Sequence, residues 1–137
     1  MSLRVELVSP ERVAYSGEAK MVIARVASGD IAFLDGHIPF VGVLQTHPLR
    51  IVADDGAETV IAVHQGFVQV ADDVVTILSD VCELADDIDV ARAERARDAA
   101  EAALRADAAD EDAVAGLLRA RVRLDVAGAT AGVSRAH

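Results

Sequence analysis

Ala85-Asp86-Asp87-Ile88-Asp89-Val90-Ala91-Arg92-Ala93-Glu94 is where the chain changes period. From Ala85 to Ala127 there is no proline and one glycine, Gly116, and alanine and arginine dominate. Both are strong helix formers. Asp86, Asp87 and Asp89 cluster at the start, where a helix N-terminus favours negative charge and an aspartate cap. The spacing predicts a first helix from about Asp89 to Arg105, a turn at Asp107-Ala108-Ala109-Asp110, and a second helix from Glu111 to near Gly128. Val114, Leu118, Val122 and Val126 recur every four residues and form one apolar stripe on that second helix. Ala93, Ala96, Ala100 and Ala103 are expected to face it from the first. A methyl group buries little, roughly 0.8 kcal/mol each, so weak docking is expected, and a weakly docked element is one that a ligand can move.

Upstream of residue 85 the pattern is that of strands. Leu3, Val5 and Leu7 alternate with Arg4 and Glu6, as in a half-buried strand. Met21–Val26, Ile38–Leu44 and Leu49–Ala53 follow as short apolar runs. Asp54-Asp55-Gly56 is a turn signal, with Glu58–Val63 as the return strand. Phe67, Val68 and Val70 precede a second turn at Asp72-Asp73, and Val74–Leu78 closes that hairpin. The expected fold class is α+β: an N-terminal antiparallel β-sandwich over residues 1–84, then a C-terminal antiparallel two-helix hairpin over 85–127. Residues 128–137 are small and polar and are expected to form a flexible tail.

The composition narrows the function. The chain has 137 residues, 53% of them apolar, and a formal net charge of −10. A nucleic-acid binder carries a basic footprint, so nucleic acid is not an expected partner. The N-terminus alternates rather than presenting a signal-peptide core. With no apolar run near the ~20 residues that span a bilayer, membrane association is expected only through partners. The single cysteine, Cys82, is read as a small buried hydrophobe and permits no internal disulfide. His37, His47 and His64 lack metal-ligand spacing, and no metal site is expected. A nucleophile elbow is missing, and so is a Gly-x-x-x-x-Gly-Lys loop. An enzyme such as a metal-dependent β-barrel would need a cluster of His and Glu that the sequence lacks, so no catalytic residue is assigned.

Arg119 and Arg123 stand i and i+4 on the second helix, at one edge of its stripe. Arg92 lies near the start of the first. An antiparallel hairpin brings the end of one helix beside the start of the other, and paired guanidiniums grip phosphate bidentately. The three arginines are therefore candidates to converge on a polyphosphate. The alternative is that they are solvated or pair with Asp86, Asp87 and Asp125.

Four stretches carry a family likeness. Val5-Glu6-Leu7-Val8-Ser9-Pro10-Glu11-Arg12-Val13-Ala14-Tyr15-Ser16-Gly17 resembles the opening of bacterial F-type ATP synthase epsilon subunits. Gly29-Asp30-Ile31-Ala32-Phe33-Leu34-Asp35-Gly36-His37-Ile38-Pro39 is similar to that family's central loop and strand. The strands at Gly66–Val70 and Val74–Leu78 are similar too, and Asp86–Glu94 resembles its entry into the first C-terminal helix. The departures are Ala32-Phe33-Leu34-Asp35 in place of Gly-Ile-Leu-Pro, Gln65 in place of a common second glycine, and Ala99 in place of a helix arginine.

The resemblance implies a non-catalytic rotor and regulatory subunit of the proton-translocating F-type ATP synthase, coupling c-ring rotation to ATP synthesis. It implies the gamma subunit, the c-ring and the alpha and beta subunits as partners. Its place would be peripheral, at the cytoplasmic face of the cell membrane. The helical hairpin would inhibit ATP hydrolysis when extended. Asp30 and His37 would be the c-ring contact, although His37 also reads as an ordinary turn histidine. No cofactor is required, but Ile88-Asp89-Val90-Ala91-Arg92-Ala93 matches the Ile-Asp-x-x-Arg-Ala motif with which Bacillus-type epsilon subunits bind regulatory ATP. Ile88, Asp89, Arg92, Ala93, Arg119 and Arg123 are the resulting candidate site. The alternative function is a free-standing nucleotide sensor of the same architecture.

Overall fold

The computed structural model describes residues 2–136, with side chains through Gly128. Its strands are β1 (Leu3–Val8), β2 (Val13–Ala19), β3 (Met21–Val26), β4 (Gly29–Leu34), β5 (Phe40–Leu44), β6 (His47–Val52), β7 (Glu58–Val63), β8 (Gly66–Ala71), β9 (Val74–Leu78) and β10 (Cys82–Leu84). A single 3-10 turn, Ala85–Asp87, leads into α1 (Val90–Ala106) and α2 (Glu111–Ala136). This is the expected α+β order of a sandwich followed by two helices.

The strands form two layers. One runs β10-β7-β6-β3 with β4 on the outer side of β3, and the other runs β5-β8-β9-β1-β2. They are joined where the end of β3 meets β5 at Val26 and Leu44. Every pair is antiparallel except β1 with β9, which is parallel from Arg4 opposite Val74 to Val8 opposite Leu78. The expected antiparallel sandwich is found, with this one pair as its exception. An alternating strand reads the same in either direction, so only the pairing partner reveals the difference.

Between the layers lie Leu3, Val5, Leu7, Val22, Phe33, Leu49, Ile51, Ile61, Val63, Val68, Val70, Val75 and Ile77, all buried. β7 is unusual in being buried on both faces from Val60 to Val63. Ile61 and Val63 face the sandwich core, while Val60 and Ala62 join Ile88, Val122 and Val126 in a separate cluster under the helices. An unbroken apolar run is what a doubly covered strand requires.

α1 begins where the aspartates predict. Asp89 holds extended backbone and its carboxylate accepts from the Arg92 N–H at 3.0 Å, a side-chain N-cap. Asp110 likewise accepts from Ala113 N at 3.1 Å at the start of α2. Ala93 and Ala100 are buried on α1, but Ala96 is exposed, which corrects its expected inward place. The buried positions step by seven, two helical turns, and Ala96 lies one turn from each at the edge of that narrow stripe, while Arg97 on its other edge is half-buried. The apolar stripe of α2 is split: Val122 and Val126 are buried against β7, whereas Val114 and Leu118 are 52% and 47% exposed. Gly128 does not end α2, which continues to Ala136. A helical glycine costs about 1 kcal/mol relative to alanine, which does not by itself stop a helix. The expected flexibility of residues 128–137 falls mainly on side chains outside the described residues.

The sandwich core is complete without the helices, since the cluster under α2 shares none of its residues. A truncation after residue 86 is therefore expected to unfold in a single cooperative transition in urea. A broad, non-cooperative transition would mean that both halves share one core.

Candidate functional site

Two outer faces of the sandwich differ in kind. α2 covers the β6–β7 face. The face of β5-β8-β9-β1-β2 is bare, and cross-strand register sets Val43 beside Phe67, Phe67 beside Leu78, Leu78 beside Val8 and Val8 beside Val13. Val43, Phe67, Leu78 and Val13 are 59%, 57%, 47% and 58% exposed. They make one apolar row across five strands. A cavity of about 560 Å³ opens alongside it, lined by Val8, Pro10, Val43, Phe67, Leu78 and Ser79 among others. Further along the same face the surface turns polar: Arg4 Nε reaches Glu6 Oε1 at 3.0 Å, and Ser16 Oγ bridges both. A contiguous exposed apolar patch rimmed by polar groups marks a protein contact surface.

Gly66 sits beside this row because its backbone closes on β9. A Cβ there meets the Leu78 carbonyl oxygen. Gln65, at φ 62°, takes a left-handed conformation that glycine holds more easily. The serine behind it, Ser79, is buried and donates to the Gln65 carbonyl at 2.7 Å.

Asp30 and His37 do not share one end of the sandwich. Asp30 lies beside the β3–β4 turn, its Oδ1 accepting from Arg25 Nε at 2.6 Å. That hydrogen bond holds the Asp30 carboxyl below the usual range. His37 lies past the other end of β4, with its ring 5.1 Å from Phe33 and 6.3 Å from Phe40, edge to face. Its loop is tied by Gly36 N–H donating to Asp73 in the β8–β9 turn at 2.7 Å. Extended chain rises roughly 3.3 Å per residue, so about 13 Å of strand separates Asp30 from the turn that carries His37.

The arginines of the hairpin are divided. Arg123 Nε donates to Glu83 Oε1 on β10 at 2.7 Å, and the same oxygen stands 2.9 Å from His64 Nε2. Arg119 is close enough to act electrostatically on His64. Arg92 is exposed and makes no ion pair among the described residues. Ile88 and Ala93 are buried, Ile88 under α2, and Asp89 is committed to its cap. The sequence alternative of pairing with Asp86, Asp87 or Asp125 does not hold for Arg123, whose partner is Glu83. Asp87 instead takes Arg12, at 3.8 Å. Sequence reasoning weighed His64 only as a metal ligand and passed over Glu83, because the arginine that joins them lies 40 residues from Glu83.

A cleft of about 490 Å³ lies between α2 and the β6–β7 face, lined by His47, Arg50, Glu58, Leu118, Arg121 and Asp125 among others. Arg50 there is held by both oxygens of Glu58, at 2.7 and 2.9 Å. Among the described residues there is no group of three or more His, Cys, Asp or Glu that could hold a metal, and no helix long and apolar enough to cross a membrane.

The fold is that of a β-sandwich subunit with a helical hairpin on one side and a bare apolar face on the other. Residues 2–85 match the family described as ATP synthase, Delta/Epsilon chain, beta-sandwich domain. The ATP synthase epsilon chain of Streptomyces griseus is 47% identical over 89% of this chain and 92% of its own length. That of Brevibacillus brevis is 50% identical over 72% and 75%. The chain belongs to the ATP synthase epsilon chain family. In fold it is similar to a chain of the Euglena gracilis mitochondrial ATP synthase, with a TM-score of 0.69 at 19% identity, covering 96% of this chain and 81% of that one. A chain from the Tetrahymena thermophila mitochondrial ATP synthase central stalk and c-ring gives 0.52 at 16%, covering 64% and 69%.

Proposed function

We propose that this chain is a non-catalytic central-stalk subunit of an F-type ATP synthase, held to the gamma subunit by the apolar row from Val43 to Val13. That row is the observation that carries the reading, because an isolated sensor has no use for a bare apolar face opposite its ligand-responsive helices. Family membership supports a place within the ATP synthase complex, and the reading adds that this place is peripheral, at the cytoplasmic face of the membrane, with membrane contact only through partners.

Of the two candidate c-ring contacts, Asp30 is the better placed. It is exposed at a strand turn, while His37 is half-buried against two phenylalanines. A cysteine at Asp30 is expected to cross-link to a cysteine in the c-ring loop, and one at His37 to do so far less. Equal yields, or none from Asp30, would remove this contact from the account.

The hairpin supports a regulatory role. It docks through few side chains, and its basic residues Arg119, Arg121 and Arg123 suit acidic surfaces of the alpha and beta subunits when it extends. Regulatory ATP would hold the compact form through Arg92, Arg119 and Arg123, with Ile88, Asp89 and Ala93 shaping the start of α1. Arg123 must then share Glu83 or leave it, and Ala99 offers no guanidinium, so affinity in the millimolar range is expected. Losing a charge-assisted contact typically removes ~1.5–3 kcal/mol, roughly tenfold to a hundredfold in affinity. Calorimetry should show that loss for Arg92→Ala and none for Arg105→Ala at the far end of α1. Wild-type protein that gives no heat with millimolar ATP would leave these arginines as partner contacts.

A further inference from the structure

His64 follows β7 with its side chain only 4% exposed. Its Nε2 lies 2.9 Å from Glu83 Oε1, the oxygen that also accepts from Arg123 of α2 at 2.7 Å. A carboxylate can only accept, so Nε2 carries the imidazole proton and Nδ1 keeps the lone pair. Nδ1 is buried and has no hydrogen-bond partner among the described residues. One carboxylate oxygen thus joins the end of β7, strand β10 and helix α2.

We propose that His64 is a proton-operated latch on the helical hairpin: a proton arriving at Nδ1 sets free the Arg123–Glu83 contact and lets α2 leave the sandwich. The inference rests on the mobile hairpin of the preceding section and adds what moves it.

The charged groups facing His64 are Glu83 from β10 and Arg123 and Arg119 from α2. On β6, His47 stands opposite Val63, the residue before it. With α2 docked, protonation places an N–H where the described residues offer no acceptor, and it sets a second cation against a carboxylate that already holds Arg123. Each effect penalises the charged imidazole. Burial first, and then the two arginines, hold His64 below its ordinary value of 6.5, against the opposing pull of Glu83. When α2 departs, both arginines leave with it and Glu83 serves the imidazolium alone. The undocked form therefore binds the proton more tightly. Docking is at full strength above the undocked form's titration point. It weakens as pH falls through that point toward the docked form's lower one, with a slope limited to about tenfold per pH unit for one site.

The contrast with the other histidines among the described residues is structural. His37 and His47 place Nδ1 beside the carbonyls of Ile38 and Pro48, their own chain neighbours, and neither touches a carboxylate shared with α2.

The test uses the full chain in a Cys82→Ala background with spin labels at Ser28→Cys and Arg105→Cys, read as a distance distribution from pH 8 to pH 5. The expected result is a long-distance population that grows as pH falls and stays constant with pH in His64→Gln. A second reading needs no labels. The His64 ring resonance should titrate at higher pH in Arg123→Ala than in the wild-type chain. A long-distance population that grows equally in His64→Gln overturns the latch and leaves a mobile hairpin standing. A His64 titration point that Arg123→Ala does not move overturns it too, as does a chain docked at every pH. If the hairpin also stays docked when its buried contact with β7 is destroyed by Val126→Asp, the mobile hairpin itself is at fault.

Discussion

Phe67→Asp is expected to weaken binding to the gamma subunit by at least about a hundredfold while leaving the sandwich folded. Phe67 is 57% exposed in the free chain, so a carboxylate there is solvated and folding tolerates it. Register places it inside the row, between Val43 and Leu78, as its one aromatic member. Aromatic anchors of an interface carry about 2–4 kcal/mol each, and an uncompensated charge in a desolvated contact adds to the loss. Ala57→Asp, in the β6–β7 turn, should leave affinity unchanged. Titration calorimetry with purified gamma subunit measures both. Equal affinities for the two variants would place the interface elsewhere.

The second large effect is predicted at Val126, which is fully buried among Val60, Ala62, Ile88 and Val122. Val126→Asp buries a carboxylate with no partner, at a cost of about 3 kcal/mol or more. The docking cluster is small, and each valine in it contributes at most about 1.5–3 kcal/mol. The hairpin should therefore release while the sandwich, whose core shares none of these residues, stays folded. Hydrogen exchange should show lost protection over 90–126 and retained protection in the core strands β1, β8 and β9. Loss of protection throughout would mean that sandwich and hairpin unfold as one unit.

Local chemistry was legible in the sequence, whereas pairing between distant segments was not. Asp89, a polar cap followed by alanine and arginine without proline, marked the start of α1 to within one residue, and Asp107–Asp110 marked the turn. The hairpins at Asp54-Asp55-Gly56 and Asp72-Asp73 were readable from their turn residues. Asp72 and Asp73 do hold positive φ, 52° and 63°, as a tight hairpin needs. β10 escaped notice because three residues are too short to show a period. The parallel β1–β9 pair escaped because an alternating strand does not name its neighbour.

The candidate site divides the same way. The bare apolar row is assembled from five strands, and in each one its member is a single outward residue among ordinary alternation. β7 did carry a signal, its unbroken Val60-Ile61-Ala62-Val63, which says that something covers the outer face. Glu83 carried none, since its importance comes from Arg123 and His64 meeting on one oxygen.

The central claim, that this chain works as a subunit held by its bare face, is tested most directly by purifying a tagged copy from the membranes of its own cells under mild detergent. The expected result is recovery with the gamma and c subunits in fixed proportion for the wild-type chain, and recovery alone for Phe67→Asp. A wild-type chain that emerges free of gamma would contradict the account and would favour a free-standing nucleotide sensor.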